Sequence, residues 1–459
     1  MSLPIASLPG SALRSALLAA CLVLLAPLCG AHDDREPREP RERSENSGRE
    51  ERDTRGPDTR REGGEDRVAD ERDRAESSGN SGKSSNDLRE HGGKGGSDGK
   101  GSGRDAAGRG PRLEFERDSQ GHERLRAELL LIANEHDVAQ VRAAGFTIIE
   151  QQALSAADEV LARVRVRSGL SVERALRQLQ ALVPAADVAP HHLFRPAGGA
   201  ADVAPLVSQA TDLQPDAPEL GIVDTGIATA TPALSRALKE SRSFAPGGYV
   251  PRTHGTVVGD VAARAGASLI STDVFGLDVK NELAAPTASI VAALDWLVAR
   301  RIRVLNISIE GPDNLVLAHE IRRALAAGVM IVAAAGNDGP AAPPAYPAAY
   351  PGVIAVTAVD EQDRVYRRAN RGAYITFAAR GVNVPSPLEP PAPRSFSGTS
   401  FAAPVVAAVL LQRRTLYPHE AGSESLAALR RASRDLGAPG RDEIFGFGEV
   451  AQPLRAGAR

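Results

Sequence analysis

The rhythm of hydrophobic and polar positions changes several times along the chain. A short apolar run, Ala16 to Leu28, is followed by residues 32–112, a polar tract that runs from Arg-Glu-Pro repeats at 35–43 to Gly/Ser/Lys-rich sequence near 92–104. Almost nothing apolar is available to bury there, so the entropy of ordering is not offset and the tract is expected to be disordered. Residues 113–196 then read as a small folded unit. Arg126–Ala133 is an apolar strand that alternates poorly, Val138–Ala144 a helix ending at Gly145, and Phe146–Glu150 and Glu159–Arg167 are strands. The second of these alternates Val160, Ala162, Val164 and Val166 against polar neighbours. Val172, Ala175, Leu176 and Leu179 follow helical spacing up to Pro184, and a last strand spans Asp187–Leu193. The order β-α-β-β-α-β is that of a small ferredoxin-like α+β domain.

From about residue 217 the pattern becomes an alternation of buried strands and helices. Strands are predicted at Glu219–Val223, Ser268–Phe275, Val304–Ile309, Val329–Ala335 and Val353–Ala358, and helices at Gly255–Ala265, Ser289–Arg300, Leu315–Ala327 and 400–412. Such alternation implies an α/β fold with a mostly parallel central sheet flanked by helices. Functional side chains then belong at the carboxyl ends of the strands.

Length and composition narrow the classes. A chain of 459 residues accommodates two or three domains, and a net charge of −3 gives no bulk attraction to nucleic acid or anionic membranes. Both cysteines, Cys21 and Cys29, lie near the N-terminus, which excludes disulfides, thiolate metal sites and cysteine nucleophiles from the body of the chain. Arg14, the apolar run and Cys29-Gly30-Ala31 read as an export signal over 1–31, too short to span a bilayer. Leu18-Ala19-Ala20-Cys21 offers a rival lipoprotein-type cleavage with a lipid anchor on Cys21. Either way a secreted or periplasmic protein is expected, with no transmembrane helix in the mature chain. His191-His192 invites a metal reading but has no ligand cluster near it in sequence, and no acidic loop matches a calcium site. No metal or cofactor is assigned.

Four places carry suitable chemistry. Gly221-Ile222-Val223-Asp224-Thr225-Gly226 sets a carboxylate just past a buried strand, His254-Gly255-Thr256 an imidazole at the head of a helix, and Ala334-Ala335-Gly336-Asn337-Asp338-Gly339 a side-chain amide after another strand. The last is Ser395-Phe396-Ser397-Gly398-Thr399-Ser400, a turn feeding a helix rich in small residues (Ala402, Ala403, Ala407, Ala408). Gly398 supplies torsions that a side chain would forbid, and Ser400 stands at a helix start, where unpaired N–H groups favour an anion and where serine is also a common cap. Each residue alone has a structural explanation. Together they supply a carboxylate, a base, an amide donor and a hydroxyl, the set used in acyl transfer by an activated serine.

The order Asp-His-Ser, with GIVDTG, HGTVVG, AAAGNDG and SGTSFAAP, resembles the subtilisin-like serine endopeptidases over about 217–452, including Tyr350–Val356 and Gly446-Phe447-Gly448. The resemblance implies a peptidase domain at 217–455 with Asp224, His254 and Ser400 as the triad, and an oxyanion hole from Asn337 and the Ser400 N–H. It also implies polypeptide substrates, and makes 113–196 a propeptide-like domain that chaperones and inhibits its own peptidase, with a linker at 197–216 holding the self-cleavage site. An inactive fold of this family that only binds peptides or a partner is the alternative.

By the same resemblance, Ser308-Ile309-Glu310-Gly311 pairs with substrate backbone while Ala334, Ala335 and Gly336 form the facing wall of the main specificity pocket. Glu310 departs from the family's usual glycine. It either favours Lys or Arg in a bound peptide or turns into solvent. Gly259-Asp260 and Val405 depart elsewhere, away from the catalytic groups.

Overall fold

Seven parallel strands form the central sheet of the computed structural model, which describes residues 111–155, 158–198, 218–388 and 395–451. All of these belong to one compact unit. The expected signal, most of the polar tract and most of the processing linker lie outside the described residues. Across the sheet the strands run Ile375–Arg380, Ile354–Val359, Met330–Ala334, Val304–Ile307, Glu219–Asp224, Ser268–Asp273 and Leu238–Ser243. Every neighbouring pair is parallel, so each strand needs a crossover, and the sheet is covered on both faces.

Two apolar layers flank it. On one face the helices Thr253–Arg264 and Thr399–Leu416 bury Val257, Val258, Val261, Phe401, Val406 and Leu410 against Leu220, Ile222 and Val332. On the other, Thr287–Ala299 and Leu315–Ala326 bury Ile290, Leu294, Leu317 and Ile321 against Val223, Leu305 and Ile331. Alternate residues of a strand point to opposite faces, which is why these strands read as continuous apolar runs. The bounds of these four helices depart from expectation by up to two residues at their starts, and the Ser400 helix runs four residues further. The strand expected over Val304–Ile309 breaks in two, with Ile309–Glu310 leaving the parallel sheet.

The strands Leu238–Ser243 and Ile375–Arg380 went unpredicted. The first is polar (Lys239, Glu240, Ser241, Arg242) and lies at the sheet edge, where one-sided burial gives little apolar signal.

Strands of residues 115–196 build most of a second, antiparallel sheet, in the order Thr147–Ala153, Val160–Arg165, Glu123–Ala133, Asp187–Pro196. The helices Glu135–Ala143 and Val172–Leu182 cover one face and share a core of Leu129, Leu131, Val138, Val141, Ala175 and Leu179. Side-chain oxygens of Asn134 and Ser171 cap their first turns. The intervening positions of the same strand, Leu130 and Ile132, join the core of the helices Thr287–Ala299 and Leu315–Ala326. Burial on both faces is the reason Arg126–Ala133 alternates so poorly.

The strand Asp187–Pro196 continues this sheet into the peptidase-like region. It pairs antiparallel with Leu283–Pro286 through Phe194↔Ala285, and with Ile309–Glu310 through Pro196↔Ile309 and Arg195↔Glu310. Gly311 has no Cβ for a physical reason: one would lie 2.3 Å from the Phe194 ring. Arg195 donates to Asp278 at 2.8 Å and to Glu123, tying the strand end down.

Candidate active site

Asp224 is the last residue of its strand, an interior strand of the sheet, and is fully buried. Its Oδ1 accepts the Thr225 N–H at 2.6 Å and His254 Nδ1 at 2.8 Å. A carboxylate only accepts, so the proton of the imidazole sits on Nδ1 and Nε2 keeps its lone pair. His254 is held in place by its neighbours. The Gly255 N–H donates to Thr225 Oγ1 at 2.9 Å, and a Cβ at Gly255 would lie 2.3 Å from the Thr225 carbonyl oxygen. The glycine after His254 is therefore what lets the head of this helix dock against the Asp224 strand. The ring packs on Phe401, with centroids 5.4 Å apart, and Nε2 is buried with no protein partner among the described residues.

The helix carrying Ser400 begins at Thr399 with Gly398 as its cap, so Ser400 lies in the first turn and is not itself the cap. Gly398 also differs from expectation. Its φ of 163° is extended backbone open to any residue; what disfavours a side chain is crowding, since a Cβ would lie 3.1 Å from Gly198 Cα and 3.4 Å from the Ala197 carbonyl oxygen.

Pro404, inside the helix, has no N–H to give to the Ser400 carbonyl four residues back. Ser308 Oγ donates to that carbonyl instead at 3.0 Å, and itself accepts from Asn306 Nδ2 at 2.9 Å. This replacement links the serine helix to the Val304–Ile307 strand.

Asn337 is clamped in three ways. Its Oδ1 accepts the Thr399 N–H at 3.0 Å, its own N–H donates to Glu310 Oε2 at 2.7 Å, and Arg368 Nε donates to its carbonyl at 3.2 Å. The first bond orients the amide so that Nδ2 points away from Thr399, and Nδ2 is buried without a protein partner among the described residues. Gly336 before it has φ +106°, and a Cβ there would lie 2.7 Å from Asn370 Nδ2. Ala334 and Ala335 are fully buried.

Between these groups runs the end of the 187–196 strand. The Ala197 N–H donates to the Ser308 carbonyl at 3.1 Å, and the Ala197 carbonyl accepts the Ser400 N–H at 3.1 Å and the Ser400 hydroxyl. A Cβ at Gly198 would lie 3.1 Å from His254 Nε2.

Residues 216–448 match Peptidase S8, the subtilase family. The chain belongs to the subtilase family. Subtilisin DY of Bacillus licheniformis is 31% identical over 233 residues, which cover 48% of this chain and 84% of that protein. The minor extracellular protease Epr of Bacillus subtilis is 34% identical over 169 residues, 37% of this chain, and the chain spans only 26% of that relative's length. Fervidolysin from Fervidobacterium pennivorans, a keratinolytic enzyme related to subtilisin, shares the fold with a TM-score of 0.58 at 19% identity, over 75% of this chain and 62% of its own. The subtilases are serine-type endopeptidases, and the sequence-level resemblance to them holds.

Glu310 departs from one of its two expectations. It is not turned into solvent: burial, and then the nearby Asp338 carboxylate, push its carboxyl up to about 8 despite the Asn337 N–H and Arg368.

The fold also brings Asp118 and His122 beside His192, a cluster invisible in sequence spacing. Asn314 Oδ1 is committed to the N–H groups of Val316 and Leu317, so its Nδ2 donates to His192 Nδ1 at 3.1 Å. That places the His192 proton on Nε2, facing Asp118 Oδ2 at 3.6 Å, and leaves no lone pair there for a metal. His191 is buried against Glu128 Oε2 at 3.0 Å.

Sequence reasoning missed Thr225, Thr399 and the Ser308 hydroxyl bond. Of these, the proline four residues after Ser400 was the available signal for the last.

Proposed function

We propose that this subtilase is an exported serine endopeptidase made as a self-processing zymogen. Asp224, His254 and Ser400 are the triad, and Asn337 Nδ2 with the Ser400 N–H forms the oxyanion hole. The observation that carries the reading is a buried Asp224–His254 pair with an open Nε2, beside a serine whose N–H already holds a peptide carbonyl.

His254 Nε2 takes the Ser400 Oγ proton as Oγ attacks the carbonyl carbon of a bound peptide. Asp224 keeps Nδ1 protonated and stabilises the imidazolium. The negative charge growing on the carbonyl oxygen meets the Ser400 N–H and Asn337 Nδ2, both pre-oriented and out of water. The imidazolium gives its proton to the departing amine. Water then repeats the sequence on the acyl-enzyme.

Residues 113–196 act as a ferredoxin-like propeptide domain that is both chaperone and inhibitor. Its strand order and its end strand against Ile309–Glu310 and Ser400 support this. Residues 217–455 are the peptidase domain. Secretion or periplasmic release is supported by the apolar N-terminal run and by likeness to an extracellular protease. No helix among the described residues is long and apolar enough to cross a membrane.

The test is wild type against Ser400→Ala, treated with a fluorophosphonate probe and followed by gel for loss of the N-terminal unit. Wild type is expected to label and shorten, and Ser400→Ala to do neither. A folded wild type that takes no label would favour the inactive peptide-binding alternative.

A further inference from the structure

We infer that the bond this enzyme cuts in itself is Ala197–Gly198, and that Glu310 is the residue restricting the subsite for the preceding side chain to small residues. The inference rests on the endopeptidase reading and sharpens its substrate class.

Consider first which bond lies over the serine. The Ala197 carbonyl is the one held by the Ser400 N–H at 3.1 Å, and Ser400 Oγ also reaches it. The strand leading to it is bonded along the peptidase edge by Pro196↔Ile309 and the Ala197 N–H to the Ser308 carbonyl. The residue after it, Gly198, stands at the open nitrogen of His254, where a Cβ would approach Nε2 to 3.1 Å. Attack of Oγ on Ala197 C, with Oγ's proton moving to Nε2 and on to Gly198 N, breaks the C–N bond and releases a new amino terminus. Water then hydrolyses the Ala197 ester, leaving a carboxylate at Ala197 and the Ser400 hydroxyl restored. The preceding carbonyl does not compete: that of Pro196 accepts the Gly198 N–H at 2.9 Å within the strand's own turn.

The second half concerns what can occupy the Ala197 position. A closed ring of bonded residues surrounds it. Ser308 holds its N–H, Glu310 in the adjoining edge segment bonds the Asn337 N–H at 2.7 Å, Asn337 Oδ1 bonds the Thr399 N–H at 3.0 Å, and Ser400 holds its carbonyl. In that ring the Glu310 carboxyl joins the edge strand to the 336–337 segment. Ala197 inside is fully buried and packs in the same apolar cluster as Ala334 and Phe401. Burial pushes the carboxyl up to about 8, which favours its uncharged form. A longer side chain at this position must displace Glu310 from Asn337.

Intact mass of the N-terminal fragment released at early times from full-length protein tests the bond. The fragment is expected to end at Ala197, a terminus unaffected by later trimming of residues 198–217. Probe-labelled protein whose fragment ends elsewhere overturns this inference while leaving the endopeptidase reading intact; absence of labelling defeats the endopeptidase reading itself. For the subsite, matured wild type and matured Glu310→Ala are compared on peptides with Ala, Phe or Arg before the scissile bond. Wild type is expected to favour Ala over Phe in kcat/KM by about 100-fold, and Glu310→Ala to reduce that ratio by about tenfold or more. In full-length protein, Ala197→Phe should slow self-cleavage and Glu310→Ala should relieve it. An unchanged Ala-to-Phe ratio, or a wild-type preference for Arg that Glu310→Ala abolishes, overturns the space-filling role. The peptide assay reads the ratio even if Ala197→Phe fails to fold.

Discussion

Asn337 Nδ2 has no partner among the described residues. Its Oδ1 is spent on Thr399, and Nδ2 is left buried and aimed. A buried donor without a partner costs about 1–3 kcal/mol, and on the proposed reading an oxyanion offsets that cost. Asn337→Ala should therefore lower kcat by about 100- to 1000-fold with KM little changed, as steady-state kinetics on one peptide would show. Glu310 offers a different readout. Its folded carboxyl titrates at about 8 against an ordinary value of 4.5, so between those pH values the native protein binds more protons than the unfolded chain. Its contribution to stability is complete below pH 4.5 and is lost as pH rises through about 8. Glu310→Gln, in a Ser400→Ala background that prevents self-digestion, should flatten this decline. The test is the difference in Tm between acid and mildly alkaline buffer, expected to be smaller in the double variant than in Ser400→Ala alone.

At the scale of elements, the site is a meeting of strand ends and helix heads whose unpaired backbone groups need partners. Pro404 frees the Ser400 carbonyl, and the Ser308 hydroxyl takes it. Ser308→Ala leaves that buried carbonyl unpaired and should destabilise the protein by about 1–3 kcal/mol, measurable as a lower urea midpoint in the Ser400→Ala background. The long helices and central strands were legible because their apolar periodicity matches their burial. The edge strand Leu238–Ser243 was not, because only one side of it is covered. The serine turn was legible as a motif, but the reason for Gly398 was not. A sequence suggests a torsional role for a glycine by default, whereas here the approach of Gly198 and Ala197 crowds a side chain.

For the whole molecule, the N-terminal unit is built as half of an interface. One face of its sheet packs on its own helices; the other puts Leu130, Ile132, Leu154, Leu161 and Phe194 into the peptidase core. Burying such side chains is worth about 1.5–3 kcal/mol each, and their sum rivals the whole stability of a small domain. Residues 111–197 made alone should therefore unfold without a sharp transition and bind a hydrophobic dye. Refolding it together with a 198–459 segment carrying Ser400→Ala should give a cooperative melt by circular dichroism.

The α/β alternation, the Asp-His-Ser order and the chemistry it implies were determined by the sequence, because burial on both faces and reactive side chains beside glycine leave marks in local pattern. The peptide bond lying over Ser400, the closing of the space around Ala197 by Glu310, and the tautomers of His192 and His254 were decided only by tertiary structure. These depend on groups far apart in the chain, Ala197 against Ser400 and Asn314 against His192, and no local pattern records such distances.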